Sequence, residues 1–192
     1  MSVSQFSGQN GQSDAANVTL TDDAGRSLDC LVENAIEQAE SIYCLLRPVD
    51  SPIAIIAWED EDDSEEATAI WLEDETEIEQ IFDDAKAVLA EFDLTLKNTA
   101  FTLTVAGELP EVDEEEILTL EIEEADGYLD TDEFQLLATV YNEHREYEIY
   151  TPITPLLLFA KQNKTGKLEL LSPEQLQQLQ PLLEEFLFEQ TD

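Results

Sequence analysis

Carboxylates are almost the only side chains here that could do chemistry. The chain carries 46 Asp and Glu against eight Lys and Arg and a single histidine, a formal charge of −38 over 192 residues. The most suggestive spacing is Asp126–Phe134, DGYLDTDEF. It reads like the back half of a calcium-binding loop, with Gly127 at the sharp turn and Leu129 at the apolar position. Glu133 would be the bidentate carboxylate and Phe134 the start of an exit helix. The front half does not continue the pattern. The first ligand position falls on Ile122, which has no oxygen to offer, and the third on Glu124.

His144 sits in YNEHREYE, in a predicted hairpin turn beside Arg145, with no positioned partner for general-base work. No GxGxxG, P-loop or HExxH pattern occurs. Cys30 and Cys44 form no CxxC pair, and with one histidine a Cys/His zinc site cannot be assembled. Both lie in strand-like runs and read as small core residues in a reducing compartment, a disulfide between them being left open. The residues thus assign no catalytic group, no cofactor and no metal.

The charge is more informative. A field of this sign repels nucleic-acid phosphates and anionic membranes and attracts basic proteins or cations. Direct nucleic-acid binding needs cationic side chains to displace counterions, and these are lacking. The acids cluster: seven of the eight residues Glu59–Glu66 are acidic, as are five in Glu73–Glu79 and five in Glu111–Glu116. Such runs serve as solvated loops or as a docking surface for a basic partner. The candidate partner-binding residues are Trp58, as an aromatic anchor, with Glu59, Asp60, Glu61, Asp62, Asp63, Glu65 and Glu66. Trp71, Tyr43, Tyr147, Tyr150 and Phe159 read as core aromatics. Arg145, Lys161, Lys164 and Lys167, half of all the cations, fall within 23 residues. They serve turn solubility or pair with acids of the other half.

The elements that must position these groups alternate strand and turn. Val18–Thr21 alternates, and Asp22–Gly25 supplies turn residues. Leu28–Ile36 and Ile42–Arg47 predict a hairpin. Pro48 and Pro52 bracket a turn, Ile53–Trp58 is apolar enough for a strand buried on both faces, and Ala67–Leu72 is a further strand. Asp74 is spaced to cap a helix with Glu77 in a capping box, and Ile78, Ile81, Phe82, Ala85, Leu89 and Phe92 form one apolar stripe. Phe101, Leu103 and Val105 suggest a strand, and Gly107–Glu116 an acidic linker.

The second half follows the same order. Leu118–Leu120 matches Val18–Leu20. Phe134–Tyr141 and Tyr147–Thr151 form a hairpin, and Pro152 and Pro155 bracket the next turn. Leu156–Lys161 is apolar, Asn163–Gly166 turns, and Lys167–Leu171 is a strand. Ser172, Pro173 and Gln175 then start a capped helix that Pro181 should kink or break. Tyr43 and Tyr147 each stand five residues before a proline. This agreement in order predicts an internal repeat.

Through VTLTDDAG, IYCLLRPVD, AIIAW and WLEDETEIEQIFDDA, the first half resembles the YrzB-like family of small acidic bacterial proteins of unknown function. Through YEIYTPITPLLLFAK and LELLSPEQLQQLQPLLEEFLFEQ, the second half resembles a family of cyanobacteria and plastids, the domain of unknown function 3727. The resemblance implies a protein of the photosynthetic lineage in cytosol or plastid stroma and carries over no catalytic residues.

The expected fold is α+β: two pseudo-repeated antiparallel β-sheet units, each followed by a C-terminal helix. Residues 1–17 are a disordered tail without the character of a secretory signal. Residues 18–92 are the first repeat, 93–116 a connecting strand and acidic linker, and 117–190 the second repeat. No apolar run is long enough to span a membrane. The expected function is a non-enzymatic, cytoplasmic adaptor or assembly factor acting on a basic protein partner. The alternatives are divalent-cation (Ca/Mg) binding by the acidic loops, or a nucleic-acid mimic.

Overall fold

The structure is a computed structural model that describes residues 16–38, 40–60, 67–123, 129–181 and 184. In chain order the elements are β1 (Asn17–Thr21), β2 (Ser27–Gln38), β3 (Ser41–Pro48), β4 (Ser51–Asp60), β5 (Ala67–Trp71) and α1 (Glu75–Ala90). There follow β6 (Thr95–Asn98), β7 (Leu103–Ala106), a 3-10 turn at Glu114–Glu116, β8 (Ile117–Glu123), β9 (Leu129–Asn142), β10 (Arg145–Pro152), β11 (Leu158–Gln162), β12 (Leu168–Leu170) and α2 (Pro173–Gln178). Antiparallel strands dominate and helices are few, a β-rich α+β architecture.

The chain forms two compact units. One holds β1, β2, β3, β11, β12 and α2; the other holds β4–β10 and α1, together with Asp22–Arg26. The first unit is a five-stranded sheet in the order β1-β2-β3-β11-β12. The second is a seven-stranded sheet in the order β6-β7-β4-β10-β9-β8, with β5 also on β4. Each sheet therefore draws strands from both halves of the sequence, where the sequence order suggested one sheet per half. The reason lies at the prolines. Pro48 ends β3 and Pro52 lies inside β4 with a bend at Val49–Asp50 between them, and β4 does not fold back to pair with β3.

Burial explains why β4 reads as continuously apolar. Ile53, Ile55 and Ala57 face a core shared with Ile81, Ala85 and Leu89 of α1 and with Val140, Tyr147 and Ile149. Ile56 faces the opposite side with Phe134 and Tyr150. In the five-stranded unit Leu20, Leu28, Cys30, Leu45, Leu46 and Ala160 are buried. Both cysteines are buried free thiols.

Helix α1 starts where the sequence places it. The Asp74 carboxylate accepts from the Thr76 and Glu77 amides at 2.9 and 3.2 Å. Glu77 does not complete the predicted capping box; its carboxylate is taken by Arg145 and Tyr147. For α2 the full box forms: the Gln175 amide donates to Ser172 Oγ at 3.3 Å and the Ser172 amide to Gln175 Oε1 at 2.9 Å. The helix ends at Gln178, three residues before Pro181. Phe134 lies within β9 and begins no exit helix, which removes the calcium-loop reading. The sequence before Leu129, residues 124–128, is outside the described residues.

Candidate functional site in the seven-stranded unit

The groups with unspent interaction capacity gather around a cleft of about 730 Å³ in the seven-stranded unit. Its floor is Ile53–Ile55 of β4 with Leu72, one wall is α1, and the other is the turn from Asn98 to Leu103. Along α1 the residues Glu75, Glu79 and Asp83 line the cleft. They are four apart, so they stand one above another, and like charges at that spacing each cost a few tenths of a kcal/mol. Arg26 relieves only the first, reaching Glu75 at 3.3 Å while also holding Asp22 at 2.7 Å. Glu73, Glu79 and Asp83 are exposed, and none has a cationic partner among the described residues.

Two exposed aromatic residues border the cleft, but only one turns its ring into it. Trp71 is 41% exposed at the end of β5; opposite Ile56 in the ladder and edge-on to Phe134 at 5.4 Å, its ring lies on the face of the sheet away from α1. Phe101 is 48% exposed and has φ 68°, a left-handed conformation that a bulky residue adopts only under constraint. The Thr99 hydroxyl closes this turn by donating to the Thr102 carbonyl at 2.5 Å. The result is an open cleft with an apolar floor, the presented Phe101 ring and, beyond the Arg26-bound Glu75, the unpaired carboxylates of Glu79 and Asp83. Chemically it can hold a cation together with an apolar group. Nothing in it resembles a nucleophile–base pair.

Tyr147 and Arg145 lie in the same unit. Arg145 donates to Glu77 at 2.6 Å and to Glu59 at 2.7 Å, and its guanidinium stacks 5.7 Å from the Tyr147 ring centre. The Tyr147 hydroxyl donates to Glu77 at 2.7 Å, and burial, with Glu77 beside it, raises its pKa. This second-half cation thus pairs with first-half acids, one of the two roles read from the sequence. In the five-stranded unit Lys161 lies over the Tyr43 ring at 5.8 Å.

The residues proposed from sequence are distributed otherwise than expected. Trp58 is half-buried, packed near Ile56, and its indole N–H donates to the Glu148 carboxylate, which also accepts from Tyr150 at 2.6 Å. Glu59 is held by Arg145. Asp60 ends β4, while Glu61, Asp62, Asp63, Glu65 and Glu66 lie outside the described residues. His144 is exposed in the β9–β10 turn at φ 70°. Trp71, read from sequence as core, is exposed on the Phe134 face of the sheet, and Phe101, read as strand, reaches solvent in the cleft. No local signal marks them; only the four-residue spacing of Glu75, Glu79 and Asp83 was visible in the chain.

Among the described residues no group of three or more His, Cys, Asp or Glu is placed to hold a metal ion. Nor is any described helix long and apolar enough to cross a membrane.

Comparison with known proteins gives two family matches. A family described as "Protein of unknown function (DUF1292)" matches residues 23–90, and one described as "Protein of unknown function (DUF3727)" matches residues 93–190. No curated protein and no solved structure matches the chain. Each match includes strands of both compact units, so the family boundary near residue 92 separates sequence halves rather than sheets. The second match spans just over half of the chain, which therefore belongs to the DUF3727 family of proteins of unknown function.

Proposed function

We propose that the protein is a non-enzymatic adaptor or assembly factor that holds a basic segment of a partner protein in the cleft beside α1. One observation carries this reading: the file Glu75, Glu79 and Asp83 lines the same cleft as the exposed Phe101. A Lys- or Arg-bearing segment would lower the repulsion along α1. An apolar or aromatic side chain of that segment would sit against the Phe101 ring, where a desolvated anchor contributes most. The −38 charge steers a basic partner toward the protein and makes encounter salt-sensitive.

The anchor in this proposal moves from Trp58 to Phe101, because the Trp58 N–H is taken by Glu148. The acidic run Glu59–Glu66 keeps a steering role. A nucleic-acid mimic is a variant of the same reading, in which the partner's basic surface is one that otherwise meets phosphates. Divalent-cation binding through the acidic loops is the alternative; residues 61–66 of the first acidic run lie outside the described residues, and no described group of three or more carboxylates is placed to hold an ion. We further propose a cytoplasmic setting, kinship of the first half with the YrzB-like proteins and a photosynthetic lineage. The two buried free thiols support the first, and the resemblances quoted above support the others.

Affinity capture tests the proposal. Native protein and the Phe101→Ala variant are immobilised and exposed to lysate of the native organism at low salt, then eluted with a salt gradient. The native column should retain basic proteins that the variant column releases early. Equal retention on both columns, or retention of no basic protein, would overturn it.

A further inference from the structure

The two sheets repeat one another in register as well as in order. In the five-stranded unit β3 pairs with β11 so that Leu46 faces Leu158 and Tyr43 faces Lys161. In the seven-stranded unit β10 pairs with β4 so that Tyr150 faces Ala54 and Tyr147 faces Ala57. Leu46 and Tyr150 are 104 positions apart, as are Ala54 and Leu158, so the two pairings are one register used twice. The hairpins agree in detail. Each has an irregularity at the same place, between Val32 and Asn34 on β2 and between Leu136 and Ala138 on β9.

Single hydrogen bonds repeat too. The Val49 amide donates to the Asp29 carbonyl at 2.9 Å, and Ile153 to Glu133 at 3.0 Å. The Leu72 amide donates to Ile55 at 2.9 Å, and Leu171 to Phe159 at 3.0 Å. Glu40 and His144, again 104 apart, both take a left-handed backbone, at φ 66° and 70°. Bulges and single turn conformations are local accidents of sequence, and their recurrence at fixed spacing in one chain needs a common origin.

We infer that the chain contains two copies of one unit, β1–β5 with α1 and β8–β12 with α2, and that each copy's three-stranded module takes its closing strand pair and helix from the other copy. The outer edge of β3 or β10 is thus a recognition surface, and the partner that fits it is a second copy of the same unit. This goes beyond the binding reading and does not depend on it.

The joints explain why a copy does not close on itself. In this register self-closure would set Leu46 opposite Ala54 and turn the chain within Arg47–Ile53. That segment contains Pro48 and Pro52 and holds Ser51 extended against Val105. Each proline fixes φ and pushes the residue before it toward extended backbone. Pro152 and Pro155 do the same between β10 and β11. The reversals expected there are the crossover joints of the exchange.

Cysteine pairing in the full-length chain tests this. Cys44 faces Ala160 across the β3–β11 ladder, a spacing that suits a disulfide. Self-closure would instead put Cys44 opposite Ile56. Under mild oxidation the Ala160→Cys variant should form a disulfide from Cys44 to the introduced thiol, mapped by peptide mass spectrometry. The Ile56→Cys variant should form none with Cys44. The position 44 to position 160 bond found between two chains would also support the inference, with the second copy supplied in trans. Should the buried Ala160→Cys variant misfold, the half-buried facing pair Ile42→Cys/Gln162→Cys gives the same readout. A disulfide from Cys44 to the thiol introduced at position 56, or failure of both cross-copy pairs to link in folded protein, would overturn it.

Discussion

Glu77 joins two strand side chains of the seven-stranded unit to helix α1. It accepts from both Arg145 and Tyr147, and its side chain is only 27% exposed. Glu77→Ala would leave a guanidinium and a phenol short of an acceptor and should cost about 2 kcal/mol, with Glu77→Gln costing less. The midpoint of urea unfolding reads this directly, and the exposed Glu79→Ala should stay within about 0.5 kcal/mol of native. Gly107 is a second sensitive position. Its φ of 127° and the 2.6 Å that would separate an added Cβ from the Asp93 carbonyl make Gly107→Ala destabilising by about 1–3 kcal/mol. Asp74 and Ser172 could be read as helix caps because a cap is decided within three or four residues. The role of Glu77 could not, because its partner Arg145 lies 68 positions away. The spacing suggested a capping box, and long-range pairing overrode it.

Helix α1 seals the core over β4 and β9 with Ile81, Ala85 and Leu89, all buried. Leu89→Ala should cost about 2–5 kcal/mol through lost burial and a residual cavity. Asp74→Ala, which removes the cap alone, should cost about 1 kcal/mol. A thermal or urea series comparing the two separates packing from capping; equal losses would contradict the assignment. The helix, the two hairpins and the doubly buried β4 were legible because their periodicities are local. The proline segments were legible as bends, at Val49–Asp50 and Ile153–Thr154, but their crossing from one sheet to the other was not. Pro48, Pro52, Pro152 and Pro155 fit the entry to a turn and an extended joint equally well, and only strand pairing between distant segments decides between them. Phe101 was assigned to a strand by its alternation with Leu103 and Val105, but the strand begins at Leu103 and Phe101 is turned into the cleft.

At the scale of the whole molecule two effects are set by charge and burial. Burial, with Asp29 nearby, pushes the Cys30 thiol from its usual 9.0 up to about 11. The folded chain therefore keeps a proton there that the unfolded chain loses above pH 9, so stability is complete below pH 9 and falls as pH rises toward 11. Tyr147 and Tyr150, both raised above 10.0, first by burial and then by Glu77 and Glu148 respectively, deepen that loss in the same direction. Urea midpoints measured from about pH 8 to 11 should fall, and Cys30→Ala should flatten the first part of the decline. The other effect is binding, and calorimetry with defined peptides tests it most directly. A lysine-rich peptide carrying one phenylalanine is titrated into native protein and into Phe101→Ala, at low and at high salt. The account predicts measurable affinity for the native cleft at low salt, at least tenfold weaker binding to the variant (about 1.4 kcal/mol), and loss of binding at high salt. Equal affinity for both proteins, or affinity indifferent to salt, would contradict it.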